Sequence, residues 1–156
     1  IYTRQLAAIG ALISHDKDQT VLSMMELDEV VERDFKQLKL DMTLGEMLHQ
    51  SVAKSGRNIF PVTDAEGKLK GIVLLDDIRE FMFDVSMYDK ILVESFMQAP
   101  PELIFYGRDT MRQIMDKFQN SSAWNLPVVR DGKYLGFVSK SKLLTAYRRK
   151  LITFAP

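Results

Sequence analysis

The chain has 156 residues, of which 46% are hydrophobic and 27% are charged, a composition typical of a folded globular protein and not of a disordered segment. Its 21 basic residues balance 21 acidic residues, so the net charge gives no reason to expect binding to nucleic acid or to an anionic membrane. The absence of cysteine excludes disulfides, thiolate metal sites and a cysteine nucleophile, and no apolar run reaches the roughly 18 residues of a membrane span.

Residues 1–25 are predicted to form a helical lead-in segment. Their apolar residues recur at helical spacing and form one stripe: Tyr2, Leu6, Ile9, Leu12 and Ile13. A polar break at residues 15–18 separates this stripe from a second short helix at residues 21–25. The chain begins at Ile1 without an initiator methionine, so we expect a fragment whose lead-in connects to a preceding domain.

The rest of the chain contains one pattern twice, in residues 26–90 and in residues 91–150, and ends in a short tail over residues 151–156. Each copy has Asn, apolar residues and Pro-Val, then an acidic residue with Gly and Lys, then Gly with two apolar residues. A fixed internal repeat of this kind predicts two copies of one supersecondary unit.

The repeated Pro and Gly residues align the two copies. Pro61 and Pro127 lie 66 positions apart, whereas Gly71 and Gly136 lie 65 apart, so the turn of the second copy is one residue shorter. Each Pro must occupy a strand position that need not donate a hydrogen bond. Each Gly marks a point where a backbone segment or a ligand comes close to the strand.

Each copy is predicted to fold as strand, helix, strand, strand and helix. A capping box, Thr43-x-x-Glu46, begins the first helix of copy one, and Glu66-Gly67 and Asp131-Gly132 supply positive φ for the hairpin turns. The apolar helix positions in copy one are Leu44, Met47, Leu48, Val52, Ile78, Phe81 and Met82. Those in copy two are Met111, Ile114, Met115, Phe118, Leu143, Leu144 and Tyr147. Because neither sheet can bury both faces alone, we expect an α/β fold in which the copies pack sheet to sheet with pseudo-two-fold symmetry.

The doubled Pro-Val and Gly-apolar-apolar pattern resembles a tandem pair of CBS domains, the α/β modules that bind adenine nucleotides in many regulated enzymes and transporters. A finer resemblance is to the cytoplasmic C-terminal tail of bacterial ClC-type chloride channels and H⁺/Cl⁻ antiporters. The segments that carry it are residues 2–6, 15–18, 57–61, 76–79, 123–127, 136–142 and 147–148.

This resemblance implies a regulatory domain without catalytic activity, located on the cytoplasmic side of the cell membrane. Its partners would be a membrane-embedded chloride transport domain of the same polypeptide and a second copy, joined through the CBS helices. The resemblance implies that no cofactor is required and that nucleic acid is not a partner. It implies ATP, ADP or AMP as candidate ligands. The alternatives are a stand-alone nucleotide-sensing CBS protein, the regulatory domain of a soluble enzyme, and a tail that only stabilises a dimer.

In CBS pairs the ligand motif is Gly, two apolar residues, Ser or Thr, and Asp three positions later. The hydroxyl suits phosphate at a helix N-terminus, and the carboxylate can accept hydrogen bonds from ribose hydroxyls. Copy one retains the acid, Asp77, but has Leu74 at the hydroxyl position. Copy two retains the hydroxyl of Ser139 but has Lys142 at the acid position, so neither motif is complete.

Two nucleotide arrangements follow from these half-motifs. In the first, Asp77 holds the ribose while Ala123, Trp124 and Asn125 line the base, with the indole as a flat face. In the second, Ser139, Lys140 and Lys142 bind phosphates, with Arg57 and Asn58 opposite. The structural alternative is that Asp76 or Asp77, and Ser139 or Ser141, only cap helices and that Trp124 packs in the core.

The sequence contains no pattern for catalysis or metal binding. His15 and His49 are isolated and lack the spacing of a zinc motif. Asp16 and Asp18 resemble the start of a calcium loop, but the Gly and closing Glu of that loop are absent. We therefore predict no catalytic residue and no metal site.

Overall fold

The structure is a computed structural model that describes residues 18–154. The predicted stripe at residues 2–13 and most of the polar break at residues 15–18 lie outside the described residues. The helix predicted at residues 21–25 is present, because residues 18–24 form helix α1, and Val21, Leu22 and Met25 are buried.

The two copies have the predicted order of elements. The strands and helices after α1 are β1 (Val31–Glu32), β2 (Leu38–Lys39), α2 (Leu44–Gln50), β3 (Ile59–Thr63), β4 (Leu69–Leu74), α3 (Leu75–Ile78), β5 (Ile104–Phe105), α4 (Met111–Ser121), β6 (Asn125–Arg130), β7 (Lys133–Ser139) and α5 (Lys140–Phe154). Short 3₁₀ helices lie at Leu27–Glu29, Val52–Lys54, Arg79–Phe81, Val85–Met87 and Val93–Phe96. The second helix of copy one is therefore much shorter than its counterpart α5: α3 has four residues and continues in 3₁₀ geometry.

The strands form one sheet for each copy. The sheet of copy one has the order β2-β3-β4, and that of copy two has the order β1-β7-β6-β5. In the sheet of copy one, β2 is parallel to β3, and β3 and β4 form an antiparallel hairpin. In copy two, β5 is parallel to β6, and β6 and β7 form the corresponding hairpin.

Each copy also receives a segment of chain from the other. Strand β1, at the start of copy one, pairs with β7 of copy two and places Glu32 opposite Phe137. Gln98, at the start of copy two, bridges Ile72 of β4, with backbone hydrogen bonds of 2.8 and 2.9 Å. This exchange joins the two copies into one folded unit.

Gly71 and Gly136, at which the sequence predicts a close approach, lie beside these exchanged segments. A Cβ added at Gly136 would lie 2.6 Å from the carbonyl oxygen of Glu32, and one added at Gly71 would lie 2.8 Å from that of Gln98. The sequence left open whether a backbone or a ligand approaches these glycines, and the structure shows that a backbone does.

The hairpin turns of the two copies are hydrogen-bonded to each other. Gly67, Asp131 and Gly132 have the positive φ values 83°, 52° and 82°. The N–H of Leu69 donates to the carbonyl of Gly132 at 2.9 Å, and the N–H of Tyr134 donates to the carbonyl of Gly67 at 3.0 Å. These reciprocal bonds confirm the predicted pseudo-two-fold packing of the copies.

Both first helices begin with a capping box. In α2 the N–H of Glu46 donates to Oγ1 of Thr43 at 3.1 Å, and the N–H of Thr43 donates to Oε1 of Glu46 at 3.1 Å. Helix α4 has the same arrangement between Thr110 and Gln113. The boxes fix where both helices begin and thereby the angle at which each chain segment enters its helix.

The hydrophobic core has three parts. Copy one is built around Leu38, Leu44, Met47, Leu48, Phe60, Val62, Val73, Ile78 and Val93. Copy two is built around Leu22, Met25, Val30, Ile104, Met111, Ile114, Phe118, Leu126, Val128, Val138 and Leu143. A central cluster of Phe35, Ile59, Ile72 and Phe137 lies between the two sheets. Among the described residues, no helix is both long and apolar enough to cross a membrane.

Candidate functional site

The pseudo-two-fold axis creates two related clefts between the copies. In each, the end of a hairpin strand from one copy faces the segment before the second strand of the other copy. The first cleft contains the half-motif of copy one, Leu74 to Asp77, and the second contains the half-motif of copy two, Ser139 to Lys142.

The first cleft contains a cavity of about 680 Å³. It is lined by Phe35, Gly56, Arg57, Asn58, Ile59, Ile72, Leu74, Asp76, Gln98, Ala99, Pro101, Ala123, Trp124 and Asn125. Its inner wall is the central apolar cluster, and its mouth carries polar side chains. Among these lining residues Arg57 supplies the one cationic side chain and Asp76 the one carboxylate.

Asp77 lies at the edge of this cavity and is not one of its lining residues. Its Oδ2 accepts a hydrogen bond of 2.8 Å from Nε2 of Gln98, which is a lining residue. Neither Asp76 nor Asp77 caps α3, because the N-cap residue is Leu74 and makes no side-chain capping bond. The prediction that one of the two carboxylates caps this helix is therefore wrong.

Trp124 is 72% exposed at the mouth of the first cleft, so the alternative in which it packs in the core is wrong. The Nζ of Lys140 lies 5.5 Å from the centre of its ring system. An exposed aromatic face beside an apolar cavity is suited to stacking with a planar ligand.

Arg57 and Asn58 line the same cavity as residues 123–125. The half-motifs predict these two residues in the second arrangement, with Ser139 and Lys142, neither of which lines this cavity. The Oγ of Ser139 instead accepts a 3.0 Å hydrogen bond from the N–H of Lys142 at the start of α5. Ser139 therefore caps α5, and its role in phosphate binding stays a prediction.

Arg57, which lines the first cavity, also forms a charged cluster with Glu32 and Asp34 on the side of the second cleft. Its Nη2 lies 2.6 Å from Oε2 of Glu32 and 2.6 Å from Oδ1 of Asp34, and its guanidinium carbon lies 4.4 Å from the centre of the Phe35 ring. The hydrogen bond to Glu32 raises the pKa of Arg57. The hydrogen bond from Arg57 lowers the pKa of the Asp34 carboxyl.

A groove of about 630 Å³ remains beside this cluster. It is lined by residues 33–36 and 54–57. Neither Ser139 nor Lys142 lines it. This groove therefore does not extend to the half-motif of copy two, whereas the first cavity extends to Leu74 and Asp76. Lys142 lines a different cavity of about 530 Å³ beside α5.

Several residues of the cavity were not identified from the sequence. Phe35, Gln98, Ala99 and Pro101 belong to the segments that precede the first strand of each copy, which carry no motif. Their common signal is positional, since Gln98 lies six positions before β5, as Glu32 lies six positions before β2. The described part of the chain has no group of three or more metal-ligating side chains.

A CBS domain family model matches residues 27–84 and again residues 93–149. The chain belongs to the CBS domain family, as a tandem pair. The two matches coincide with the two copies and with the elements that form the clefts. No curated protein sequence matches the chain.

Solved structures of other CBS pairs have the same fold at low sequence identity. CbpB, solved in complex with c-di-AMP, has a TM-score of 0.70 at 19% identity, over 89% of this chain and 95% of that one. A CBS domain protein from Streptococcus pneumoniae TIGR4 has a TM-score of 0.72 at 15% identity, over 91% and 98%. The CBS domain of a bacterial CNNM/CorC family Mg²⁺ transporter, solved in complex with ATP, has a TM-score of 0.69 at 12% identity, over 85% and 93%.

Proposed function

We propose that this CBS pair is a regulatory module that binds an adenine nucleotide in its first cleft. The observation that carries the proposal is the cavity of about 680 Å³ between the copies, with an apolar interior and a few polar groups at its mouth. Ligand pockets have this character, since apolar walls supply affinity and a small number of polar groups fix orientation. Two of the similar structures were solved with adenine nucleotides bound, c-di-AMP in one and ATP in the other.

The base belongs in the apolar interior, against Ile59, Ile72 and Leu74. Ile72 is 4% exposed and Ile59 is 9% exposed, so the walls are already dehydrated and need little rearrangement to receive a ring. The indole of Trp124 is placed to cover the ring from the mouth. Ala99, Pro101 and residues 123–125 complete the lining.

The ribose belongs at Asp77. A carboxylate is a strong acceptor for two vicinal hydroxyl donors, and charge-assisted hydrogen bonds of this kind are stronger than neutral ones. Gln98 holds one carboxylate oxygen at 2.8 Å, which leaves the other free and restricts the rotation of the side chain.

The first cleft has few groups that can bind phosphate. Leu74 replaces the hydroxyl of the family motif, and the guanidinium of Arg57 is already paired with Glu32 and Asp34. Asp76 and Asp77 add negative charge in the first turn of α3. These features favour a ligand with few phosphates, in which the base and ribose provide most of the binding energy.

A ligand in this cleft contacts both copies, which is the requirement for regulation. Leu74 and Ile72 belong to copy one, whereas Ala123 and Asn125 belong to copy two. Binding therefore favours one spacing of the copies over another, and only such differential binding can shift a conformational equilibrium. We propose no reaction for this module.

The comparisons support a nucleotide-sensing CBS pair better than the tail of a chloride transporter, so the former is the main hypothesis. Attachment to a ClC-type transport domain and location on the cytoplasmic side of the membrane rest on the sequence resemblance and stay predictions. The residues upstream of Ile1 test them: an apolar run of about 20 residues supports the transporter, and a soluble catalytic domain contradicts it.

We also propose a homodimer, formed through the helices at the ends of the copies. Phe83, Val85 and Ile152 are 90%, 70% and 75% exposed, which is unusual for large apolar side chains. Sedimentation of the full 156-residue chain at tens of micromolar tests this state, and a monomer across that range contradicts it.

Isothermal titration of the full chain with AMP, ADP, ATP and c-di-AMP tests nucleotide binding. We expect saturable heat with at least one of these ligands, and a lower affinity in Asp77→Asn. Asp116→Asn is the matched control, because Asp116 is an exposed carboxylate on α4 that does not line the cavity. No heat from any of the four at millimolar concentration contradicts the proposal.

A further inference from the structure

The two clefts can be compared position by position through their backbone pairing. Gln98 bridges Ile72, and Glu32 pairs with Phe137, where Ile72 and Phe137 each follow the repeated Gly. Glu32 therefore holds in the second cleft the position that Gln98 holds in the first. A carboxylate stands where the first cleft has an amide.

A second pair of equivalent positions follows from two further hydrogen bonds. The N–H of Leu75 donates to the carbonyl of Asn58, and the N–H of Lys140 donates to the carbonyl of Trp124, both at 2.8 Å. The residues one position earlier, Arg57 and Ala123, are therefore equivalent as well. The second cleft has a guanidinium where the first has a methyl group.

The guanidinium of Arg57 is held as a bound cation would be. Two carboxylates contact it at 2.6 Å, and its central carbon lies over the Phe35 ring, 4.4 Å from the ring centre. Charge-assisted hydrogen bonds and stacking on an aromatic face are the two interactions that proteins use to bind guanidinium groups. The contact with Glu32 is more protected from solvent than the contact with Asp34, because the Glu32 side chain is 18% exposed and the Asp34 side chain is 71% exposed.

This cluster also connects the two copies. Glu32 belongs to β1, which is part of the sheet of copy two, whereas Arg57 immediately precedes β3 in copy one. The groove that remains beside the cluster contains neither Ser139 nor Lys142.

We propose that Arg57 is a built-in ligand of the second cleft, which it closes by bridging Glu32 and Asp34, so that each chain takes one nucleotide. The one-nucleotide stoichiometry rests on the proposed function, whereas the built-in ligand does not. The asymmetry of the half-motifs thus extends to these equivalent positions: Gln98 and Ala123 in the first cleft correspond to Glu32 and Arg57 in the second.

Chemical rescue tests the clamp without any nucleotide. Arg57→Ala should lower the Tm by about 1–4 °C, the range expected for losing a partly exposed pair in a chain of this size. Methylguanidinium at about 20 mM should restore at least half of that loss, because it binds the folded state at the vacated site. Sodium chloride at the same concentration controls for ionic strength.

The receptor for the guanidinium provides the matched control. In the triple variant Arg57→Ala, Glu32→Gln, Asp34→Asn, methylguanidinium should not raise the Tm. In the wild type it should not raise the Tm either, because Arg57 already occupies the site. An equal response of the wild type and Arg57→Ala to methylguanidinium contradicts the built-in ligand.

Native mass spectrometry of the full chain with AMP tests the stoichiometry. We expect one AMP per chain at saturation, and two AMP per chain contradict the closure of the second cleft. If methylguanidinium rescues Arg57→Ala while the wild type binds no nucleotide at all, the clamp stands and the proposed nucleotide function fails.

Discussion

Nε2 of Gln98 donates a 2.8 Å hydrogen bond to Oδ2 of Asp77 and so joins the start of copy two to α3 of copy one. Only one carboxylate oxygen is used in this bond. The other oxygen can accept from a ligand whose hydroxyls enter the edge of the first cleft. The bond thus gives the predicted ribose acceptor a defined orientation before any ligand arrives, which reduces the entropy lost on binding.

The ribose hydroxyls should contribute measurably to affinity. We expect 2′-deoxy-AMP to bind about 5–20-fold more weakly than AMP, because the loss of one hydroxyl leaves the Asp77 carboxylate without that hydrogen bond. In Asp77→Asn the two ligands should bind with affinities within about 2-fold of each other. Titration calorimetry of both proteins with both ligands measures this coupling. Equal discrimination in the two proteins would place the ribose elsewhere.

Added phosphates should not increase affinity. Leu74 offers no hydroxyl, and Arg57 is paired with Glu32 and Asp34. Arg79, the cation beside Asp76, is paired with that carboxylate at 3.1 Å and so is not free for a phosphate. We expect ATP to bind no more tightly than AMP at about 0.1 M salt, and Asp76→Asn to improve ATP binding about 2–5-fold while AMP binding changes less. ATP binding ten-fold tighter than AMP in the wild type contradicts this account.

The repeated architecture could be predicted because its signals are local. The turn residues, the Thr43 capping box and the helical spacing of apolar residues are each read within about ten positions of the chain. The glycines at 71 and 136 also predicted a close approach, although the approaching backbone comes from the other copy. These features fixed the element order and the sheet-to-sheet packing.

The exchange of segments between the copies could not be predicted. Strand β1 has two residues and Gln98 makes a single bridge, so neither shows a periodicity that a sequence can reveal. The charged cluster depends on this exchange, since Glu32 approaches Arg57 only when β1 joins the sheet of copy two. The sequence predicted Arg57 opposite Ser139 and Lys142, and for the same reason it did not reveal the carboxylate partners of Arg57.

The close packing at Gly136 should make it intolerant of a side chain. A Cβ there would lie 2.6 Å from the carbonyl oxygen of Glu32 and 2.8 Å from Cγ1 of Val31, so Gly136→Ala must push β1 away from β7. We expect a loss of about 2–4 kcal/mol in the free energy of unfolding. Gly56→Ala is the matched control, because no atom lies within 4 Å of its added Cβ, and its effect should stay within about 0.5 kcal/mol. Urea denaturation of both variants measures the difference, and similar values for the two contradict the steric argument.

Alkaline pH should destabilise the protein through tyrosines whose neutral form the fold favours. Burial and the hydrogen bond that the Tyr147 hydroxyl donates to Asp18 raise the pKa of Tyr147 to about 12, and burial raises the pKa of Tyr134. A group whose folded pKa lies above its unfolded value near 10 contributes stability that is fully present below pH 10 and is lost as the pH rises through the folded pKa. The free energy of unfolding should therefore be constant to about pH 9.5 and decrease between about pH 10 and pH 12.

Tyr147→Phe should be about 1 kcal/mol less stable than the wild type at pH 8, because it loses the bond to Asp18. Its free energy of unfolding should decrease less than that of the wild type between about pH 10 and pH 12. Urea denaturation at pH 8, 10 and 11 measures both effects, and parallel pH profiles for the two proteins contradict the role of Tyr147.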